Sequence, residues 1–393
     1  DGVYAAQTFD LSTSWTKYTW LFTAQEASPI VRIQYRETGT IWLDDIQVFS
    51  GQSVQISVSP NTRHQTMVGF GGALTWYASR IFNGSETDEI KQLMFDDLGA
   101  DVIRFKNWYH PTDYPNDKTT ATIPNNTLNH LNKTKDIFDS AKAINPDIQV
   151  LLSSWSPAVY FKSNGELKNG GTLASNVSGY MYDELGQYYN DMLDNIGWAP
   201  DYFSFQNEPG WTAAHESCVY SPTETGTNAG YSEAIDAVWN AIKGRPDVPK
   251  IMGPESENVT NFSIQANSLK TKPFIDAYCY HLYNMQDESG IDSSGSINLL
   301  NEVRDNFSNK SNWVTEFSID NHDWIQTARV IHNSLTEANT SAYIYWKLIW
   351  DTSDDAMLNV ASDGSYTIGP HYYTLKHFAK HVNKDYQRID VQG

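Results

Sequence analysis

The sequence predicts an α/β fold, a (β/α)8 (TIM) barrel with an accessory β-strand region, and three observations carry that prediction. From residue 66 short apolar runs alternate with helical stretches, the pattern of parallel βαβ units. The alternation repeats eight times, the number that closes a barrel. Before residue 50 the runs are instead short, alternating in polarity and separated by polar turns.

Taken in order, Thr16 to Phe22 and Ile30 to Tyr35 alternate apolar and polar side chains, so residues 1–50 read as a β-rich accessory segment of antiparallel sheet. Gly51-Gln52-Ser53 forms a joint and Val54 to Val58 a further strand, which makes 51–66 a linker with a side-sheet strand ahead of a catalytic barrel over 67–393. The barrel strands fall at 67–74, 101–106, 149–155, 202–208, 250–256, 274–283, 312–319 and 342–349. Helices fall near 86–98, 132–145, 180–196, 228–243, 260–270, 296–308, 323–338 and 371–381.

A chain of 393 residues has room for one large barrel plus an accessory piece. Its net charge of -20, with no basic stripe, repels phosphate backbones and argues against a nucleic-acid partner. No run of eighteen apolar residues and no charged-then-apolar leader occurs, so neither a membrane span nor a signal peptide is read. Cys218 and Cys279 are too few for a disulfide framework and lack metal spacing; one bridge or two free thiols are both open. Asn-X-Ser/Thr sequons recur from Asn83 to Asn339 and favour export, so a secreted or extracellular monomer is expected. With 13 Trp and 23 Tyr the chain is well supplied with flat apolar faces of the kind that stack on sugar rings.

In such a barrel, reacting groups project from the C-terminal ends of strands. Strand four ends Gln206-Asn207-Glu208-Pro209 and strand seven ends Thr315-Glu316-Phe317-Ser318, each placing a carboxylate on an apolar strand where an ionised group needs a partner or a solvent-filled cleft. Paired carboxylates are what glycoside cleavage requires, one to protonate the leaving oxygen and one to attack the anomeric carbon. Strands four and seven face each other across the mouth, so a separation near ~5 Å, the retaining geometry, is expected. Glu208 then serves as acid/base, its pKa raised by anionic Glu316, and Glu316 as nucleophile, while Asn207 donates to the sugar 2-hydroxyl.

These strand ends look like those of clan A glycoside hydrolases, and further stretches resemble family 30. They are Gly69 to Thr75, Trp155 to Gly165, Gln206 to Pro209 followed by Glu216-Ser217-Cys218, Met252 to Ser256, and His371 to Ile389. The stretch at Glu216 is closest to the xylan-degrading members. The resemblance covers about residues 54 to 390 and implies that Arg104 steadies the nucleophile, that His281 and Tyr283 line the site with the tyrosine bonded to Glu316, and that Trp346 floors the bound sugar. Trp155, Trp108 and Trp76 become candidate cleft platforms, and Trp211 a contact on the leaving side. Residues 41–48, an aromatic-X-Asp-Asp-hydrophobic run, resemble the last strands of jelly-roll carbohydrate-binding modules.

Two departures stand out. Trp76-Tyr77 occupies the place where many family members carry an acid, and the loop after strand eight holds Asp351, Asp354, Asp355 and Asp363 without an arginine, so an anionic branch on the substrate is expected to be repelled. The family's side β-sandwich is expected to be incomplete. The resulting expectation is an endo-acting retaining hydrolase of a neutral β-linked plant cell-wall polysaccharide, xylan before β-glucan, with no cofactor and no metal. The alternative is a non-catalytic glycan-binding protein on the same scaffold. Metal-dependent hydrolysis through His110, His215 and His281 lacks ligand spacing.

Overall fold

The computed structural model describes residues 9–10, 57–283, 292–318 and 323–392. Apart from Phe9 and Asp10, the expected accessory segment 1–50 lies outside the described residues. The unit Asn61–Ile389 contains the barrel.

The barrel strands are β1 (Gly69–Leu74), β2 (Val102–Lys106), β3 (Gln149–Ser153), β4 (Tyr202–Ser204), β5 (Lys250–Ser256), β6 (Ile275–His281), β7 (Ser311–Glu316) and β8 (Thr340–Tyr345). Each pairs in parallel with its sequence neighbours, and β8 returns to β1 through Ala342 opposite Gly69 and Tyr345 opposite Gly72, which closes the sheet. Gly71 lets β1 lie close against β2, because a Cβ there would fall 1.5 Å from the Val102 carbonyl oxygen.

The helices are α1 (Thr87–Gln92), α2 (Asn125–Ile144), α3 (Tyr182–Asn195), α4 (Tyr231–Ile242), α5 (Val259–Ala266), α6 (Ser294–Asn306), α7 (Trp324–Glu337) and α8 (Pro370–Ala379). The expected strand and helix order is therefore observed. The largest difference among the helix boundaries is at α2, which starts at Asn125, after Pro124, well ahead of residue 132. Its first turn, Asn125-Asn126-Thr127, is polar and shows no apolar period from which a start could be read.

Side-chain alternation separates two apolar layers. Val102, Leu151, Met252, Ala277, Cys279, Trp313, Ala342 and Ile344 fill the barrel interior. Ile103, Phe105, Tyr278, Tyr280, Tyr343 and Tyr345 belong to the larger core that includes the helices. Trp313 and Tyr202, with ring centroids 4.6 Å apart, fill the N-terminal end of the interior. With Val102 facing inward, period 2 turns Arg104 and Lys106 inward as well, nearer the C-terminal mouth.

A strand over Ser57–Thr66 pairs with one over Gln387–Gln392, a two-stranded sheet where the expected side sandwich would begin. Cys218 and Cys279 are both free and buried, which decides the question left open by their spacing. No described helix is long and apolar enough to cross a membrane.

Candidate active site

The mouth of the barrel is organised around one guanidinium. Arg104 is fully buried, and each of its nitrogens is engaged: Nη1 donates to Glu316 Oε2 at 2.7 Å, Nη2 to Asn207 Oδ1 at 2.6 Å, and Nε to Ser153 Oγ at 3.0 Å. Nε also lies 2.9 Å from Glu255 Oε1, which accepts a bond from Ser153 Oγ at 2.9 Å. The guanidinium carbon sits 4.5 Å from the centroid of the Trp155 ring, whose face supports it. Burial works against its charge, but Glu255 and Glu316 outweigh burial and hold its pKa above the ordinary range.

Glu316 closes β7, and the alternation of that strand alone would not aim it inward, since Trp313 already faces the interior. The pairing with β6 is irregular between Val314 and Glu316, and this shift brings Glu316 opposite His281, toward the axis. Tyr283 donates to Glu316 Oε1 at 2.8 Å, the bond expected from the resemblance. Glu316 thus carries a guanidinium on one oxygen and a phenol on the other.

Glu208 is held differently. β4 ends at Ser204, earlier than the expected 208, and the chain turns through Gln206 and Asn207. Gln206 donates to the Trp155 carbonyl at 2.9 Å, and the Glu208 amide to the Glu255 carbonyl at 2.9 Å. Glu208 has φ 49°, a left-handed conformation that side chains rarely adopt and that recurs at functional positions. Its carboxylate meets His281 Nδ1 at 3.0 Å.

The two carboxylates approach each other: one oxygen of Glu208, one of Glu316 and a ring nitrogen of His281 all lie within 4.8 Å of one another. Burial lifts the Glu208 pKa to about 7, with Glu257 and Glu255 adding to the effect and His215 and Arg104 opposing it. The expected cause, the charge of Glu316, is thereby corrected: loss of hydration leads, reinforced by other acids. Burial raises Glu316 too, opposed by His281, Arg104 and the Tyr283 hydroxyl. Burial lowers the His281 pKa, which favours a neutral imidazole. Such a cluster can keep one carboxyl protonated beside one ionised carboxylate.

The aromatic expectations divide. Trp346, just past β8, and Trp76 are partly buried, with centroids 5.9 Å apart, and both adjoin Trp155. Trp155 is only 2% exposed and supports Arg104, so it is not an open platform. Trp108 is corrected more strongly: His130 stacks on it at 4.4 Å and the Lys106 ammonium sits 3.9 Å from its centroid, leaving no face for a sugar. Trp211 is 52% exposed on the turn beyond Glu208, bonded through its amide to the Glu208 carbonyl.

The loop after strand eight is corrected as well. Asp351 pairs with Arg80 and Asp355 is buried against Lys347 at 2.7 Å, so only Asp354 and Asp363 of the four stand exposed. Their repulsion of an anionic branch is correspondingly weaker.

Glu255, within the Met252 to Ser256 stretch, is a site residue that the sequence reading did not single out. It lies on β5 with φ 56° beside an irregular pairing between Pro254 and Ser256, and it completes the arginine clamp. An acid at a strand end was the available signal. Among the described residues Glu208, His281 and Glu316 are the set that could hold a metal ion; His110 and His215 are not brought to His281 in any such group. A cation there would compete with the Arg104 guanidinium already bound to Glu316.

No protein-family model matches the chain. It is 26% identical over 281 residues to a glucuronoxylanase, XynC, of Bacillus subtilis, which covers 67% of this chain and 59% of that protein. The chain thus spans less than two thirds of that relative's length. Among solved structures it resembles the catalytic domain of a GH30 xylanase C from Talaromyces cellulolyticus, with TM-score 0.67 and 18% identity over 86% of this chain and 81% of the other. An endo-β-1,6-glucanase gives TM-score 0.68 and 18% identity over 87% and 83%. The chain is thus similar in sequence to one glucuronoxylanase, and it shares its barrel fold with the solved GH30 xylanase and the endo-β-1,6-glucanase.

Proposed function

We propose that the chain is a retaining endo-β-glycosidase that hydrolyses a neutral β-linked plant polysaccharide by double displacement. Glu208 gives its proton to the glycosidic oxygen while a Glu316 oxygen bonds the anomeric carbon and the leaving sugar departs. Glu208, now ionised, takes a proton from water, whose oxygen displaces Glu316 and releases the sugar. Asn207, its Oδ1 held by Arg104, keeps its amide hydrogens for the 2-hydroxyl.

The observation that carries this reading is that an oxygen of Glu208 and one of Glu316 come within 4.8 Å, an approach that supports the close carboxylate pair of retaining enzymes, at ~5 Å, over the wider inverting arrangement. Unequal surroundings support these roles, since Arg104 and Tyr283 both bind Glu316 and neither binds Glu208. A neutral substrate fits because Arg104, Lys106, Arg80 and Lys347 are each committed to a carboxylate of the protein. Xylan is the first choice, from the Glu216-Ser217-Cys218 stretch and the relatives named for xylan, and β-glucan the second. A polymeric substrate fits a protein that works outside the cell.

Product analysis on xylan, glucuronoxylan, cellulose and mixed-linkage and β-1,6 glucans tests the proposal. Internal cleavage of an unbranched chain is expected. Strict dependence on glucuronate branches would overturn the neutral-substrate assignment, and binding without any cleavage would favour the glycan-binding alternative.

A further inference from the structure

Beside the paired carboxylates lies a second polar group that the mechanism does not use. Lys106 projects from β2 on the same inner face as Arg104, only 1% exposed, with its ammonium 3.3 Å from Glu216 Oε1 on the loop after β4. It donates to the Asn107 carbonyl at 3.1 Å and rests 3.9 Å from the Trp108 centroid. His110, 5% exposed, senses the charges of both Lys106 and Glu216. Among the described residues neither ring nitrogen of His110, nor Glu216 Oε2, has a hydrogen-bond partner. Buried polar atoms left in this way are costly, and three in one place are a concentration that a fold rarely keeps without use.

The cover over this group is slight. Trp76, at the end of β1, meets exposed His215 from the loop after β4 edge-on, with centroids 5.9 Å apart, and Lys106 lies 5.7 Å from the Trp76 centroid. His215 is exposed and meets Trp76 by a ring edge, so it is the histidine that can swing away from the tryptophan. Trp76 and Trp155 also border the Arg104 cluster, so the covered group adjoins the position over Glu316.

We propose that Lys106, Glu216 and His110 form a second sugar-binding position beside the Glu208 and Glu316 pair, covered by Trp76 and His215 in the free protein and opened by substrate. This rests on the glycosidase reading and names the chemistry of its neighbouring subsite. An ammonium already matched by a carboxylate has no surplus charge for an anionic substituent, yet it offers a donor beside an acceptor. Burial and Lys106 lower the His110 pKa to about 3, so the ring is neutral and adds one donor and one acceptor. Donor and acceptor side by side match the vicinal hydroxyls of a neutral pyranose, and the closed surroundings disfavour substitution on those hydroxyls.

The test is the dependence of kcat/KM on chain length, measured with xylo- and gluco-oligosaccharides of two to six sugars on the wild type, Lys106→Met and Glu216→Gln. In the wild type one lengthening step should raise kcat/KM strongly, and in Lys106→Met that gain should shrink at least tenfold, with the change mostly in KM. Glu216→Gln, which keeps the shape, should shrink it severalfold. A brace that only supports the fold would lower activity on short and long substrates alike and leave the ratio in place, which overturns the proposal. Should Lys106→Met fail to fold, Glu216→Gln decides alone. Calorimetric binding of the same oligosaccharides to Glu316→Ala separates the two readings. A wild type that cleaves nothing sinks the hydrolase assignment, whereas cleavage with a length dependence indifferent to both variants sinks only the subsite.

Discussion

The end of β7 and the turn after β4 present the same side chain in opposite ways. Glu316 terminates a strand and receives a guanidinium and a phenol. Glu208 lies beyond its strand in a left-handed conformation, and among the described residues its carboxylate meets only the ring of His281. Two carboxylates close together in one buried site share a proton unequally, and the one with more donors gives it up. The contrast supports the proposed roles, Glu316 attacking and Glu208 protonating, which neither position along the chain nor burial alone would distinguish.

The comparison breaks most completely at the nucleophile. Glu316→Ala should lower kcat by at least about 10⁴-fold while oligosaccharide binding persists in calorimetry; a loss of tenfold or less contradicts the assignment. Arg104→Met removes the charge that makes the two sites unequal, and a drop of about 10²–10³-fold in kcat/KM is expected, on the scale of a deleted transition-state donor. The pH profile sharpens the other half. Because Glu208 must be protonated and its pKa is pushed up to about 7, kcat/KM should fall above pH 7, and Glu257→Gln should move that limb to lower pH. An alkaline limb unmoved by Glu257→Gln would remove Glu257 from the account.

Smaller effects probe the supports. Tyr283→Phe removes one donor to Glu316 and should cost about 10-fold in kcat, consistent with a hydrogen bond to a charged group. Stability gives the last test. Folding raises the Glu208 pKa from 4.5 to about 7, so the folded protein holds an extra proton in between and loses stability as pH rises through that window. Glu208→Gln abolishes the loss and should be more stable than the wild type above pH 7, by about 1–3 kcal/mol, read as a higher Tm. Equal Tm values at pH 8 would show that Glu208 titrates normally.

Much of this was legible in the sequence because barrel strands obey period 2. Once Val102 faces inward, Arg104 and Lys106 must follow; Ala277 and Cys279 lead to His281, and Ala342 and Ile344 to Trp346. What was not legible breaks that rule. Glu316 was readable as a strand-end carboxylate, but the irregular pairing that turns it inward was not, nor was the part played by Glu255 at a similar irregularity, because nothing in local composition announces a shift of register. Trp108 was misread for another reason: a tryptophan near a cleft suggests a platform, but the sequence does not show that His130 and Lys106 take its two faces. The acidic loop after strand eight was misjudged likewise, since Arg80 comes from a different part of the chain to meet Asp351.

Trapping the reaction halfway tests the central claim most directly. A 2-deoxy-2-fluoro glycoside with an activated leaving group slows both steps but lets the first proceed, so the sugar should stay bonded to the protein. Mass spectrometry of the digested protein is expected to place one sugar on the peptide that carries Glu316. A label on Glu208, or complete turnover with inverted anomeric configuration in the first product, would contradict the account.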